Sequence, residues 1–158
     1  MNIRDFRPED RTACLALFDG NTPTYFHPGE REAFADSLAS VEFLPPRLRN
    51  QGRPPGRFFV AVTDDGAVAG CGGWYVDGTA ATLTWGMVDR ARHRQGVGRR
   101  LLEERLKCIR TEGRARTAFV QTTAPVVGFF ERMGFRVARE FYPGLVAEMP
   151  LIELSLTL

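Results

Sequence analysis

The sequence predicts an α+β (mixed α/β) fold, with a mostly antiparallel central sheet of about seven strands flanked by about four helices. Three observations lead there. Strand-like and helix-like segments follow one another in the order β-α-α-β-β-β-α-β-α-β-β. Turn signals at 64–66 (DDG) and 77–78 (DG) separate three short apolar runs as hairpin connections would. A glycine pair inside RHRQGVGRR, residues 92–100, then joins the last of those runs to a long helical pattern.

Taken in order, NIRDFR sets apolar Ile3 and Phe6 among polar neighbours and reads as a strand. Pro8 opens a helical segment, PEDRTACLALFDG, with acids in its first turn, where the positive end of the helix dipole favours them. NTPTYFHPG is a turn-rich loop, and EREAFADSLASV then places Phe34, Leu38 and Val41 on one helical face. Pro45, Pro46, Pro54 and Pro55, with Gly52 and Gly56, mark an irregular connection over about 44–57; neither flank could form a core alone. An antiparallel meander follows over 57–88. Val97, Leu101, Leu102, Leu106 and Ile109 keep helical spacing up to Glu112, and Gly113 suits a C-cap. RTAFVQT reads as a buried strand and APVVGFFERMG as a short helix, while FRVAREFYPG and LVAEMPLIELSL supply two final strands.

A chain of 158 residues fits one domain, here 1–158, able to bury roughly 70% of its unfolded surface. The apolar fraction of 44% and charged fraction of 25% are those of a folded soluble protein, expected as a monomer or homodimer. A net charge of +2 is too small to argue for a nucleic-acid partner. Cys14, Cys71 and Cys108 are odd in number and scattered, which suits reduced core thiols and suggests no metal site. The charged N-terminus MNIRDFRPEDR lacks an apolar signal region and no apolar run approaches a membrane span, so the expected compartment is the cytoplasm.

In RHRQGVGRR, the strand TLTWGMV feeds a loop that reaches Gly96 and Gly98 where a helix begins. The first amides of a helix lack intrahelical partners and carry partial positive charge, so such a junction favours a phosphate. A Walker A loop needs Gly-Lys-Ser/Thr, but Arg99 and Arg100 stand there; the dinucleotide fingerprint needs a small residue at 101, which is leucine. The third pattern, a Gln/Arg-x-x-Gly-x-Gly/Ala turn between strand and helix, does fit, except that His93 occupies the Gln/Arg place. With IRDFRPEDRTAC before it and GFFERMGF after it, the chain resembles the GNAT superfamily of acyl-CoA-dependent N-acyltransferases over essentially its whole length.

The resemblance implies a sheet splayed between its fourth and fifth strands, with coenzyme A or acetyl-CoA as co-substrate in the cleft and no metal. Backbone amides of Arg94, Gln95, Gly96, Val97, Gly98 and Arg99 would hold the pyrophosphate, and Met87 and Val88 would pair with the peptide-like pantetheine. Arg92 and Arg100 would add positive field. In the family a deprotonated amine attacks the thioester, and a tyrosine often protonates the departing sulfur. The matching run TAPVVGFFERMGF puts Thr123 at the family's asparagine, Val126 at its alanine and Phe130 at the tyrosine. Phe130 has no proton to give.

General acid catalysis is typically worth about 10²- to 10⁴-fold, yet a thiol of pKa ~8.5 is already a fair leaving group. Transfer of acetyl to a primary amine therefore remains the leading expectation, beside a catalytically weak or silent acyl-CoA-binding module. Tyr142 and Glu148 are the candidate catalytic acid and base, with Tyr25 and His27 as further polar groups on the acceptor side. The fourth strand carries Thr84 and Trp85 where many relatives have a glutamate. Tyr25, Phe26, Phe141 and Tyr142 suggest an aromatic-lined pocket for a small amine or a peptide N-terminus.

Overall fold

The structure, a computed structural model, describes residues 1–39, 56–141 and 150–158. The strands are β1 (Asn2–Asp5), β2 (Gly56–Val62), β3 (Val68–Asp77), β4 (Ala80–Val88), β5 (Thr117–Thr122), β6 (Arg136–Phe141) and β7 (Leu151–Thr157). The helices are α1 (Arg11–Asn21), α2 (Arg31–Ala39), α3 (Val97–Glu112) and α4 (Ala124–Arg132). All seven strands join one sheet in the order β1-β2-β3-β4-β5-β7-β6, antiparallel except for the β4–β5 pair. The expected element order and the mostly antiparallel sheet are thus both present. β2 takes up the last two residues of the connection expected over 44–57, because Gly56 and Arg57 pair with Tyr75 and Trp74 of the long β3. Residues 44–55 of that connection, Val41 of the second expected helix, and 142–149 of the last two expected strands lie outside the described residues.

Helices cover both faces, and the period-2 alternation of β2 sorts its side chains between them. Phe58 and Val60 meet Cys14, Leu17, Phe18, Phe34 and Leu38 of α1 and α2. Phe59 faces the other way, into a cluster with Leu101, Leu102, Leu106 and Ile109 of α3 and Phe130 of α4. Each fully buried side chain of this size contributes about 1.5–3 kcal/mol, which is why the 3.6-residue spacing along α3 defines its buried face. The α1 side is tied to β1 by charge: Arg4 donates to both oxygens of Asp10 at 2.7 and 2.9 Å, and the Arg7 amide adds a third bond at 2.8 Å. Beside that guanidinium the Asp10 carboxyl is held below the usual carboxylate range.

The β4–β5 pairing covers only Ala80–Leu83 against Thr117–Val120, although β4 continues to Val88. The β3–β4 register also shifts between Cys71 and Gly73, so two residues of β4, Trp85 and Gly86, oppose one of β3. Trp85 there has φ 48°, a left-handed conformation that a bulky residue adopts only under constraint. Bulge and splay together leave the second half of β4 with one edge that is unpaired among the described residues.

Candidate functional site

A cleft of ≈ 580 Å³ opens along that edge, reaching from the start of α3 to the paired end of β4 and β5. Five arginines, Arg92, Arg94, Arg99, Arg105 and Arg132, line it; among the described lining residues Glu30 is the single carboxylate, so the field inside favours an anion. A second hollow of ≈ 570 Å³ lies beside α1 and the turn at Gly66, and three carboxylates, Glu9, Asp10 and Asp89, line it.

The first end of the cleft is made of backbone. Asp89 accepts from the Ala91 amide at 3.0 Å and closes a turn over Arg90–Arg92; Arg94 (φ 63°) and Gly96 (φ 83°) then bend the chain through the left-handed region. Glycine meets that demand at 96 without cost to a side chain. The first intrahelical bond of α3 runs from Arg100 N to Gly96 O at 3.1 Å. The amides of Gly96, Val97, Gly98 and Arg99 therefore emerge from the helix end without intrahelical partners, at the positive end of its dipole. A Cβ added at Gly98 would meet Val88 Cγ2 at 3.5 Å and Phe129 Cζ at 3.7 Å, both ordinary contacts. The protein's own packing does not demand glycine there, so its bareness is available for a ligand's close approach.

The side chains of this loop serve the loop more than the cleft. Gln95 Nε2 donates to Ala91 O at 3.2 Å, Val97 is buried with Ala61 and Ala69, and Arg99 pairs with Glu103 at 2.8 Å. His93 Nε2 lies 3.1 Å from Val88 O, and since a carbonyl only accepts, that nitrogen carries the proton. Asn21 Nδ2 donates to the same oxygen at 3.0 Å and to Leu17 O at 2.8 Å. The histidine in the Gln/Arg place thus pins the end of β4 together with a buried asparagine from α1. Met87 and Val88 both line the cleft, with the Val88 carbonyl engaged by these two side chains.

The deep end is made of side chains from several elements. Thr123, the N-cap of α4, is buried, and among the described residues its Oγ1 has no hydrogen-bond partner, a condition that typically costs about 1–3 kcal/mol. It lines the cleft, and a ligand amide or carbonyl would relieve it, so the residues present fit a pantetheine arm. Phe130 is 7% exposed and packs edge-on against Phe129 at 5.1 Å and Phe135 at 5.4 Å, serving both wall and core. Arg105, absent from the sequence-based candidates, is only 4% exposed and also lines the cleft. Burial pushes its guanidinium down to about 10, still cationic at neutral pH. The sequence did hold a signal for it: 105 falls on the apolar face of α3, between Leu101, Leu102 and Leu106, Ile109.

On the acceptor side, Tyr25, Phe26 and His27 all line the cleft. His27 Nδ1 accepts from the Gly29 amide at 2.9 Å and Glu30 accepts from the His27 amide at 2.8 Å, a reciprocal cap that occupies both. Trp85 stacks with Phe26 (6.3 Å) and lies tilted against Phe34 (5.1 Å), joining the cleft wall to the α2 core. Phe141, under the Arg139 guanidinium at 4.7 Å, ends β6 and does not line the cleft. Tyr142 and Glu148 lie outside the described residues. Among the described residues no helix is long and apolar enough to cross a membrane, and no group of His, Cys, Asp or Glu is arranged to hold a metal ion.

A family model described as an acetyltransferase (GNAT) domain matches residues 54–137. Among solved structures, a GCN5-related N-acetyltransferase from Kribbella flavida is 22% identical with a TM-score of 0.77, over 99% of this chain and 97% of that one. The ribosomal-protein-S18-alanine N-acetyltransferase from Escherichia coli is 21% identical with a TM-score of 0.71, over 99% and 92%. An aminoglycoside 6′-N-acetyltransferase complexed with coenzyme A is 16% identical with a TM-score of 0.72, over 99% and 97%. At these identities the likeness is one of fold. No curated protein matches the chain in sequence.

Proposed function

The chain belongs to the GNAT acetyltransferase family, and from that premise we propose that it is an N-acetyltransferase, moving an acetyl group from acetyl-CoA to a primary amine by direct attack in a ternary complex. The observation that carries the reading is the run of bare amides at the start of α3, opening onto an unpaired β4 edge inside one cationic cleft. The amides of Gly96 to Arg99 hold the pyrophosphate, the open edge of β4 takes the pantetheine as an added strand, and Thr123 Oγ1 gains the partner it lacks. Tyr25, Phe26 and Trp85 border the side from which the amine arrives. We assign 1–158 to one such domain, acting as a monomer or homodimer in the cytoplasm with no nucleic-acid partner.

A second reading, a silent acyl-CoA-binding module, is favoured by one observation: Phe130 has no hydroxyl, and the one described carboxylate lining the cleft is engaged with the His27 amide. Thiol release from acetyl-CoA, followed across a panel of small amines and peptide N-termini, separates the two. Turnover with any acceptor supports the enzyme; tight coenzyme A binding without turnover across the panel leaves the module. The named neighbours act on a ribosomal-protein alanine and an aminoglycoside, so the panel includes both acceptor types.

A further inference from the structure

Arg105 is the one feature of the cleft that the reading above leaves without work. Its guanidinium is buried, yet among the described residues it has no carboxylate partner; its hydrogen bonds are two long ones, Nε to Leu101 O at 3.3 Å and Nη1 to Gly73 O at 3.4 Å. Cys71, the titratable group that acts on it electrostatically, is a thiol that burial pushes well up, so it stays neutral and supplies no counter-charge. An isolated buried cation is costly unless something offsets it.

The fold has made room for it. A Cβ at Gly72 would lie 2.9 Å from Nη1, and one at Gly86 would lie 3.2 Å from both Nη1 and Nη2. The guanidinium therefore occupies the space that side chains would fill over β3 and β4, beside the bulge at Trp85 and Gly86. That bulge lies on the half of β4 whose edge is unpaired. Arg105 also stands seven residues beyond Gly98, about 10 Å further along the helix from the end where the bare amides lie. Phe130 lines the same cleft.

We propose that Arg105 is a catalytic residue of this site, its guanidinium taking the negative charge that gathers on sulfur as the acyl–sulfur bond breaks. The inference rests on the acyl-CoA reading. As the amine nitrogen bonds to the acyl carbon, the carbon–sulfur pair leaves on sulfur, the amine's proton passes to solvent, and the guanidinium keeps all its protons. Charge is stabilised by a fixed cation in a low-dielectric site, so no general acid is needed and a phenylalanine at 130 is tolerated. The distortion of β4 and the two glycines then have a common purpose, which is to let a cation reach the reacting end from beneath the sheet.

The test uses coenzyme A itself, without an acceptor. Its thiol is titrated on the full-length protein by thiolate absorbance, with desulfo-coenzyme A as the control for binding. We expect the bound thiol to ionise at least tenfold more readily than the free value of ~8.5, Arg105→Met to return it to that value, and Arg105→Lys to retain part of the shift. Desulfo-coenzyme A should bind wild type and Arg105→Met alike, while kcat falls about 10²-fold in the variant. A bound thiol that titrates in wild type like the free one overturns the proposal, even if no variant folds. So does a tenfold preference for a carboxylate-tailed acyl thioester that Arg105→Met abolishes, since the guanidinium would then hold a ground-state anion. Failure of coenzyme A to bind at all would overturn the acyl-CoA reading and this inference with it.

Discussion

The two ends of the cleft are built from different materials. At the α3 start the cleft offers bare amides, placed by a left-handed turn at Gly96 and a side-chain-free Gly98, with Arg92, Arg94 and Arg99 along its wall; Gln95 turns back on the loop, and Arg99 also pairs with Glu103. At the deep end the ligand-facing groups are side chains, Thr123, Phe130 and Arg105, brought together from α3, α4 and the cap between β5 and α4. A backbone site depends on geometry and tolerates much change in residue type. A side-chain site depends on identity, so it is where members of one fold diverge in chemistry.

The largest effect expected from this contrast is at Gly98. Gly98→Glu puts a carboxylate where the proposed pyrophosphate would sit, and like charges in close contact cost several kcal/mol, so coenzyme A affinity by calorimetry should fall at least about 10³-fold. Gly98→Ala, whose Cβ meets only ordinary contacts, should stay folded and lose less. Affinity retained in Gly98→Glu would place the pyrophosphate elsewhere and dissolve the distinction between the ends.

Next comes the stability of Arg105→Met, where the deep end should behave in the opposite sense to a structural residue. Burial lowers the guanidinium below the ordinary arginine range, to about 10, so the cost of burying it is fully present below that value and disappears only as the pH climbs into the ordinary range. Removing the charge should therefore raise stability at neutral pH, by up to about 3 kcal/mol, seen as a higher thermal midpoint. A lower midpoint would mean that the bonds to the Leu101 and Gly73 carbonyls outweigh the burial, and that the arginine belongs to the frame.

Asp10 supplies the frame's own behaviour for comparison. Its carboxyl is lowered first by the hydrogen bond from Arg4, so its stabilisation is present above the ordinary aspartate value of ~3.9 and is lost as the pH falls through the lower, folded value. Asp10→Asn should cost about 2 kcal/mol in denaturant unfolding and leave coenzyme A affinity unchanged, because the carboxylate ties β1 to α1 outside the cleft. A change in affinity would couple frame and site.

The same division explains what could be foreseen. Element order, the meander and the glycine turn at the start of α3 follow from periodicity, hairpin residues and glycine, signals that are local in sequence. Arg105 escaped because arginine on a helix is ordinarily solvated, and its burial depends on glycines at 72 and 86, far away in the chain. Asn21 and His93 escaped for a related reason: their shared acceptor is a backbone oxygen on β4, which no side-chain pattern announces. Phe130 lines the cleft without a hydroxyl, and the group proposed to act in place of one, Arg105, reaches it only through a contact between elements.

The smallest effect, and the most discriminating, is expected from Phe130→Tyr. The ring is held edge-on by Phe129 and Phe135, so a hydroxyl that enters the cleft need not disturb the core. With Arg105 in place the leaving sulfur is already stabilised, and turnover should stay equal or rise by no more than about tenfold. In an Arg105→Met background the same hydroxyl has the task to itself, and its gain should be larger, so the two substitutions should couple in a double-mutant cycle on kcat. Equal gains in both backgrounds would show that ring and guanidinium act on different atoms. A large loss from Phe130→Tyr alone would make the phenyl ring a shaping element of the cleft, and the deep end would then depend on packing more than on charge.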